Sequence, residues 1–213
     1  MNTASTLRPP SPVSDPAPQA AGGRFFDTVN GVWMVKVFPG EYYVTSQTDE
    51  VLVTILGSCV AACIRDPRTG IGGMNHFMLA EGTSQTWGGD AESTRYGNFA
   101  MEKLINELLK LGCSRQSLEI KVFGGGNVTD TRNLIGTQNA EFVQRYLDTE
   151  GLPITAQDLG GQYPRRIHYY PSTGRVVRRL LAGSETTAVA REETEYAGRL
   201  KTRKAGGEIE LFE

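Results

Sequence analysis

The chain has 213 residues, of which 39% are hydrophobic and 22% are charged, and its formal net charge is −2. These values are typical of a globular protein of one domain, which is large enough to form a core without disulfide staples. The small negative charge argues against nucleic-acid binding by the chain as a whole. No apolar run reaches the roughly 18 residues that cross a bilayer, and no apolar signal segment opens the chain, so a cytoplasmic location is expected.

Three cysteines and two histidines limit the disulfide and metal chemistry that the chain can perform. An odd number of cysteines argues against a closed disulfide framework. A zinc site would have to use Cys59 and Cys63 with the histidines, or one histidine and Cys113, and no second pair stands at zinc-finger spacing. A redox or metal protein that uses Cys59 and Cys63 is therefore kept only as an alternative function.

Composition divides the chain into three parts. Residues 1–24 hold five of the ten prolines among Ala, Ser and Thr, without apolar periodicity, and this predicts a disordered tail. Residues 25–182 are predicted to form the folded domain. Residues 183–213 are charged and lack a strong apolar stripe, so either a loose helix or a disordered extension is expected there.

The first half of the domain is predicted to be mostly strands. Runs of β-branched, aromatic and aliphatic residues, each bounded by turn residues, predict five strands. They cover residues 32–38, 41–45, 51–56, 60–64 and 71–79. Residues 80–92 are polar and Gly-rich, which predicts a loop.

The second half is predicted to contain both helices and strands. Apolar residues at helical spacing from Phe99 to Leu111, ended by Gly112, predict a helix over about 95–111. The same periodicity predicts a second helix over about 137–150. The predicted strands cover residues 118–123, 154–159, 166–170 and 176–181.

Cys59 is the first candidate for chemistry. It follows the strand 51–56 at a turn that contains Gly57 and Ser58. Main-chain N–H groups in such a turn can point at a substrate carbonyl and can lower the pKa of a thiol. The alternative is that Cys59 is a small buried hydrophobic residue, as most free cysteines are.

His76 is the second candidate, because it lies in the next strand-like segment. If the two segments are neighbours, its imidazole can reach the Cys59 thiol. A Cys–His pair supplies a nucleophile and a general acid for the leaving group. The alternative for His76 is a hydrogen-bonded core histidine. His168, on a late strand, is expected to be structural or exposed.

Gly124-Gly125-Gly126-Asn127 invites comparison with phosphate-binding loops. It has neither the Lys-Ser/Thr pair of the Walker pattern nor the spacing of G-x-G-x-x-G. A Gly-rich wall against the substrate or a tight turn is expected instead.

Several short motifs occur in a fixed order through the domain. Leu56-Gly57-Ser58-Cys59-Val60-Ala61 is followed by Asp66-Pro67, Gly72-Gly73 and His76-Phe77-Met78-Leu79. Later come Arg95-Tyr96-Gly97 with Ala100-Met101, Phe123-Gly124-Gly125-Gly126, Ile135-Gly136 with Asn139, and Asp158-Leu159-Gly160-Gly161 with Arg166 and Thr173-Gly174. Over roughly residues 40–181 they resemble the CheD family, the chemoreceptor glutamine deamidases of bacterial chemotaxis. A set of ordered motifs is far more specific than a single Gly-rich loop.

The resemblance implies an α+β fold, a sandwich of mixed β-sheets with helices packed on the outside. It also implies hydrolysis of glutamine side chains of chemoreceptors to glutamate, with release of ammonia. The family's catalytic Cys and His correspond to Cys59 and His76. Its third member is a Thr on the preceding strand, where Thr54 is the only hydroxyl residue. One placement of the family pattern falls on Val53 instead, and because side chains alternate along a strand, that one-residue difference decides which face is used.

The resemblance implies no cofactor and no metal. The expected oxyanion hole is the main-chain N–H groups near Ser58 and Cys59. The implied partners are the cytoplasmic domains of chemoreceptors and a CheC-type phosphatase, with no nucleic acid and no membrane insertion. The alternative function is a non-catalytic binding partner of a chemotaxis phosphatase or receptor.

Overall fold

The structure is a computed structural model that describes residues 23–79, 92–128 and 135–203, without the side chains of residues 92–94 and 201–203. Most of the predicted tail 1–24 and of the predicted loop 80–92 lies outside the described residues, so those predictions stay predictions. The described strands are β1 Gly23–Asp27, β2 Val32–Lys36, β3 Tyr42–Thr45, β4 Glu50–Leu56, β5 Val60–Arg65, β6 Gly72–Asn75, β7 Glu119–Gly124, β8 Ile154–Leu159, β9 Arg165–Tyr170 and β10 Arg175–Leu180. The helices are α1 Glu92–Lys110, α2 Ile135–Thr149 and α3 Ser184–Arg203, with a short 3-10 helix at Arg115–Ser117.

The strands form two mixed sheets of five strands each. The first sheet has the order β1-β2-β4-β9-β10, with β2 and β4 parallel. The second has the order β3-β6-β5-β7-β8, with β7 and β8 parallel. With helices packed against the sheets, this confirms the predicted α+β sandwich. No helix in the part of the chain that the structure describes is long and apolar enough to cross a membrane.

Strand β5 lies at the centre of the second sheet and is buried on both faces. Val60, Ala62 and Ile64 pack in the apolar cluster that includes α1 and α2. Ala61 and Cys63 pack in the cluster that includes the first sheet. A strand covered on both sides has a continuous apolar sequence. Cys59, directly before β5, belongs to the cluster between the sheets.

Strand β6 is shorter than the predicted strand 71–79, and Asn75 is the reason. Val60 and Phe77 exchange two main-chain hydrogen bonds of 2.9 Å. Since such pairs alternate along an antiparallel ladder, Ala62 N–H would bond the main chain of Asn75. It donates instead to the Asn75 side chain, at 2.9 Å from Oδ1, and Asn75 Nδ2 donates to the Ala100 carbonyl of α1. His76 therefore follows the end of β6.

β1 is not among the predicted strands, and α3 is the helical one of the two alternatives expected for residues 183–213. β1 is an edge strand whose Phe25 and Phe26 are both exposed, so it lacks the alternation by which a strand is predicted. α3 lies within the predicted extension 183–213 and is a helix of 20 residues. Its buried positions include the polar Glu193, which is why no apolar stripe marks it.

We predict that Asn75→Ala lowers the free energy of unfolding by about 1–3 kcal/mol, because the buried Ala62 N–H loses its acceptor. Urea denaturation measures this change. Asn106→Ala on the exposed face of α1 is the matched control, with an expected change within about 0.5 kcal/mol. Equal losses in the two variants would contradict a role for Asn75 in joining β5 to β6.

Candidate active site

The turn between β4 and β5 is held by the Gly-rich segment that follows β7. The carbonyl of Gly57 accepts a hydrogen bond from Gly126 N–H, and the carbonyl of Cys59 accepts one from Gly125 N–H, both at 2.7 Å. Gly124 has φ 114°, and a side chain there would collide with the Cys59 carbonyl. The three glycines therefore serve as a main-chain support for the Cys59 turn.

Asn139 of α2 joins the Cys59 turn to the segment that carries His76. The side chain is fully buried. Its Oδ1 accepts a hydrogen bond from Leu79 N–H at 2.8 Å, and its Nδ2 donates to the Ser58 carbonyl at 2.8 Å. The sequence motif contains Asn139, but nothing in the sequence assigned it this bridging position.

The N–H groups of the same turn all bind one carboxylate, that of Glu193 on α3. Oε1 accepts from Gly57 N–H at 2.9 Å and from Cys59 N–H at 3.1 Å. Oε2 accepts from Ser58 N–H and from the Ser58 hydroxyl, each at 2.7 Å. Glu193 is buried, and no ion pair found in the described residues includes it. Four neutral donors therefore compensate its charge.

Thr54 is in direct contact with His76. Its Oγ1 lies 2.8 Å from His76 Nδ1 and donates its hydrogen to the Val37 carbonyl at 2.8 Å. Because the hydroxyl has one hydrogen and this hydrogen is used, Oγ1 must accept from Nδ1–H. The Val37 carbonyl also lies 3.4 Å from Nδ1, and it can only accept. This arrangement fixes the proton of the neutral imidazole on Nδ1 and leaves the lone pair on Nε2.

The strand register brings His76 near Cys59. The Val60–Phe77 pair places Ala61 opposite His76, and Cys59 lies two residues before Ala61 on the same face. By this register Cys59 and Cys63 are the two diagonal neighbours of His76, and Cys59 is the one that lies in the turn at residues 57–59. His76 Nε2 is buried and has no hydrogen-bond partner among the described residues.

Cys113 and His168 lie apart from this pair, whereas Cys63 packs in the same apolar cluster as Cys59 but lies within β5 and outside the turn at residues 57–59. Cys63 and Cys113 are buried free thiols. His168 is opposite Val53 in the register of β9 and β4, so it lies on the other face of the sheet from Thr54. Within the described ranges, no group of three or more His, Cys, Asp or Glu side chains is suited to a metal ion.

Comparison with known proteins identifies relatives that span most of the chain. A family model described as CheD chemotactic sensory transduction matches residues 78–180. Three proteins named "Probable chemoreceptor glutamine deamidase CheD" are similar to this chain. The one from Rhodopseudomonas palustris (strain BisA53) is 57% identical over 84% of this chain and 84% of its own length. Those from Methylobacillus flagellatus and Hahella chejuensis are 50% and 44% identical, over 91% and 100% of this chain and 97% and 100% of their own lengths.

The chain belongs to the CheD family. In this CheD protein the Cys59 and His76 side chains are both neutral in the observed arrangement. Burial raises the pKa of the Cys59 thiol well above its usual value, and the charge of Glu193 raises it further. Burial lowers the pKa of His76 to about 4, although Glu193 and the Val37 carbonyl favour the cation. The His76 imidazole is therefore unprotonated on Nε2 at neutral pH.

NMR titration of the two histidine rings measures the lowered pKa of His76 directly. We predict a midpoint near 4 for His76, with the His168→Gln variant assigning the two signals. Between pH 6.5 and 4 the unfolded chain binds more protons at this site than the folded chain. Folding stability should therefore fall as the pH falls through that range, by at most about 1.4 kcal/mol per pH unit. A His76 midpoint at or above 6.5 would contradict a buried neutral imidazole.

Proposed function

We propose that this protein hydrolyses the side-chain carboxamide of selected chemoreceptor glutamines to glutamate and ammonia, with Cys59 as the nucleophile and His76 as the acid and base. Membership of the CheD family supports the reaction and its substrate. One observation supports the residues most strongly. A buried imidazole nitrogen, fixed as an acceptor by Thr54, lies diagonal to a cysteine whose turn presents three main-chain N–H groups.

In the first half of the reaction, His76 Nε2 takes the proton of the Cys59 thiol. The sulfur attacks the carboxamide carbon, and the carbonyl electrons move onto oxygen. The N–H groups of residues 57–59 stabilise that oxyanion, as main-chain donors do in acyl transfer. When the carbonyl re-forms, the C–N bond breaks and the proton on Nε2 passes to the departing nitrogen, which leaves as ammonia.

In the second half, water hydrolyses the thioester. Nε2 accepts a proton from water as its oxygen attacks the thioester carbon, and the same N–H groups hold the second oxyanion. The C–S bond then breaks and Nε2 returns the proton to the sulfur. The products are a glutamate side chain on the receptor and the original Cys59 thiol, so no cofactor is needed.

Thr54 acts through His76 in this proposal and is a positioning residue. Its Oγ1 accepts a hydrogen bond from Nδ1–H and donates its own hydrogen bond to the Val37 carbonyl. This keeps Nε2 unprotonated and turned away from the strand that carries Thr54. A third group that orients the base is the usual companion of a Cys–His pair.

The cellular setting belongs to the same proposal. A substrate that is the cytoplasmic part of a chemoreceptor would place the protein in the cytoplasm. The family resemblance also suggests a CheC-type phosphatase as a partner. Co-purification of the two full-length chains would test that association independently of the deamidation.

We predict that Cys59→Ala abolishes ammonia release from a chemoreceptor cytoplasmic fragment. The variant should remain folded, since the side chain is small and leaves little cavity. Cys63→Ala and Cys113→Ala, which also remove buried thiols, are matched controls and should keep most of the activity. Full activity of Cys59→Ala would refute the mechanism. A wild-type chain that binds the fragment but releases no ammonia would favour the non-catalytic binding protein.

We predict that Thr54→Val lowers kcat at least 2- to 13-fold, which corresponds to the loss of one hydrogen bond of about 0.5–1.5 kcal/mol. The substitution keeps the shape of the side chain and removes the acceptor for Nδ1–H. A structural defect alone would not change the pH profile, whereas loss of the Thr54 contact should shift the pH at which activity is half-maximal. Wild-type kcat and an unchanged profile would show that the Val37 carbonyl suffices to orient His76.

A further inference from the structure

The proposed nucleophile is closed to solvent. Cys59 is 0% exposed and His76 is 2% exposed. A glutamine of another protein cannot reach the thiol in this arrangement. Some part of the structure must move before the proposed reaction can begin.

Helix α3 packs against the Cys59 turn and approaches the segment that carries His76. Its buried face includes Val189, Glu193 and Tyr196. In the middle of this face, Glu193 binds the Cys59 turn. Tyr196 belongs to the same apolar cluster as Cys59, and its Oη lies 2.9 Å from the Tyr96 Oη of α1. The helix therefore lies across the turn, and it is also joined to α1, which packs on the second sheet.

Tyr196 also approaches the segment that carries His76. A Cβ added at Gly40 would lie 2.7 Å from the Tyr196 hydroxyl. Gly40 N–H donates in turn to the His76 carbonyl at 2.7 Å. In the turn that carries Cys59, a Cβ added at Gly57 would lie 2.6 Å from Glu193 Oε2. The close approach of α3 thus depends on a glycine at both contacts.

The chemistry of the contact is specific. Glu193 presents a glutamate side chain, and glutamate is the product of the proposed reaction. Its two oxygens occupy the three N–H groups that the mechanism assigns to the oxyanion, together with the Ser58 hydroxyl. A receptor side chain that bound the same donors would have to replace Glu193.

We propose that α3 is an autoinhibitory helix whose Glu193 occupies the oxyanion site as an intramolecular product mimic, and that the enzyme is latent until this helix is displaced. This inference rests on the proposed function for the meaning of the site, but the covering of Cys59 by α3 is a separate claim. The substrate side chain and Glu193 are competitors for the same donors.

Two further features fit a displaceable helix. α3 follows Leu181, which is buried and donates its N–H to the Pro164 carbonyl at 2.8 Å, so the chain is anchored just before the helix. Gly183, with φ 61°, separates this anchor from Ser184 and allows a change of direction there. Removal of the Glu193 charge also removes one of the influences that raise the pKa of Cys59, so the displaced state favours the reactive thiolate.

The test measures the rate at which iodoacetamide alkylates Cys59, followed by mass spectrometry of the peptide that contains it. In the full chain, Glu193→Ala should raise this rate on the order of 10- to 100-fold, in line with the loss of hydrogen bonds to a charged acceptor. Glu192→Ala, at the exposed neighbouring position, is the matched control and should leave the rate unchanged. Equal rates in wild type and Glu193→Ala would overturn the inference.

Ammonia release from a receptor fragment provides the second measurement. Glu193→Ala should raise kcat/KM, because less of the enzyme is closed. A fall in kcat/KM with intact folding would overturn the inference, since it would make Glu193 part of the working site. Faster alkylation without ammonia release from any chain, wild type included, would support the cover and refute the proposed function, so the two failures are distinguishable.

Glu193→Gln is the second variant, for the case in which Glu193→Ala does not fold, because it keeps the size of the side chain. A carboxamide has only one acceptor oxygen and cannot satisfy donors on both sides, so alkylation should again be faster than in wild type. Intact mass is recorded before the assay, since this carboxamide is itself a candidate substrate. Conversion of position 193 to glutamate that is lost on adding Cys59→Ala would also support the inference.

Discussion

The hydrogen bonding of residues 57–59 is the constraint on which the rest of the site depends. Every main-chain N–H and C=O group of these three residues has a partner. The carbonyls bind Gly125, Gly126 and Asn139, and this leaves the N–H groups together on a single carboxylate. Buried main-chain polar groups are costly when unpaired, so the turn keeps this orientation only while both sets of partners exist. When Glu193 leaves, a substrate oxygen or water must take its place.

Much of the fold could be predicted because strands and helices of this chain are marked locally. Buried strands such as β4 and β5 are mostly apolar runs, and α1 and α2 have helical periodicity bounded by turn residues. The sequence left two candidates, Val53 and Thr54, for the strand residue that faces His76. It could not decide between them, because a shift of one residue turns the side chain to the other face of the strand. The structure places Thr54 on His76 and Val53 on the outer face, opposite His168.

The remaining features depend on contacts between residues far apart in the sequence. Asn139 bridges Ser58 and Leu79 only after α2 has packed on the second sheet. Glu193 binds a turn that lies 134 to 136 residues earlier in the sequence. No local sequence pattern predicts a carboxylate on the buried face of a helix. The spacing of Val189, Glu193 and Tyr196 is helical, and an acidic residue within that stripe was the one available signal.

The most direct test of the account is to trap the acyl intermediate at Cys59. Wild-type protein mixed with a chemoreceptor fragment is quenched in acid within a single turnover and digested for mass spectrometry. The account predicts a receptor peptide joined to the Cys59 peptide through a thioester, with the summed mass less one ammonia and cleavage by hydroxylamine. Ammonia release with an acyl adduct on another residue, and with Cys59 recovered as a free thiol, would contradict it.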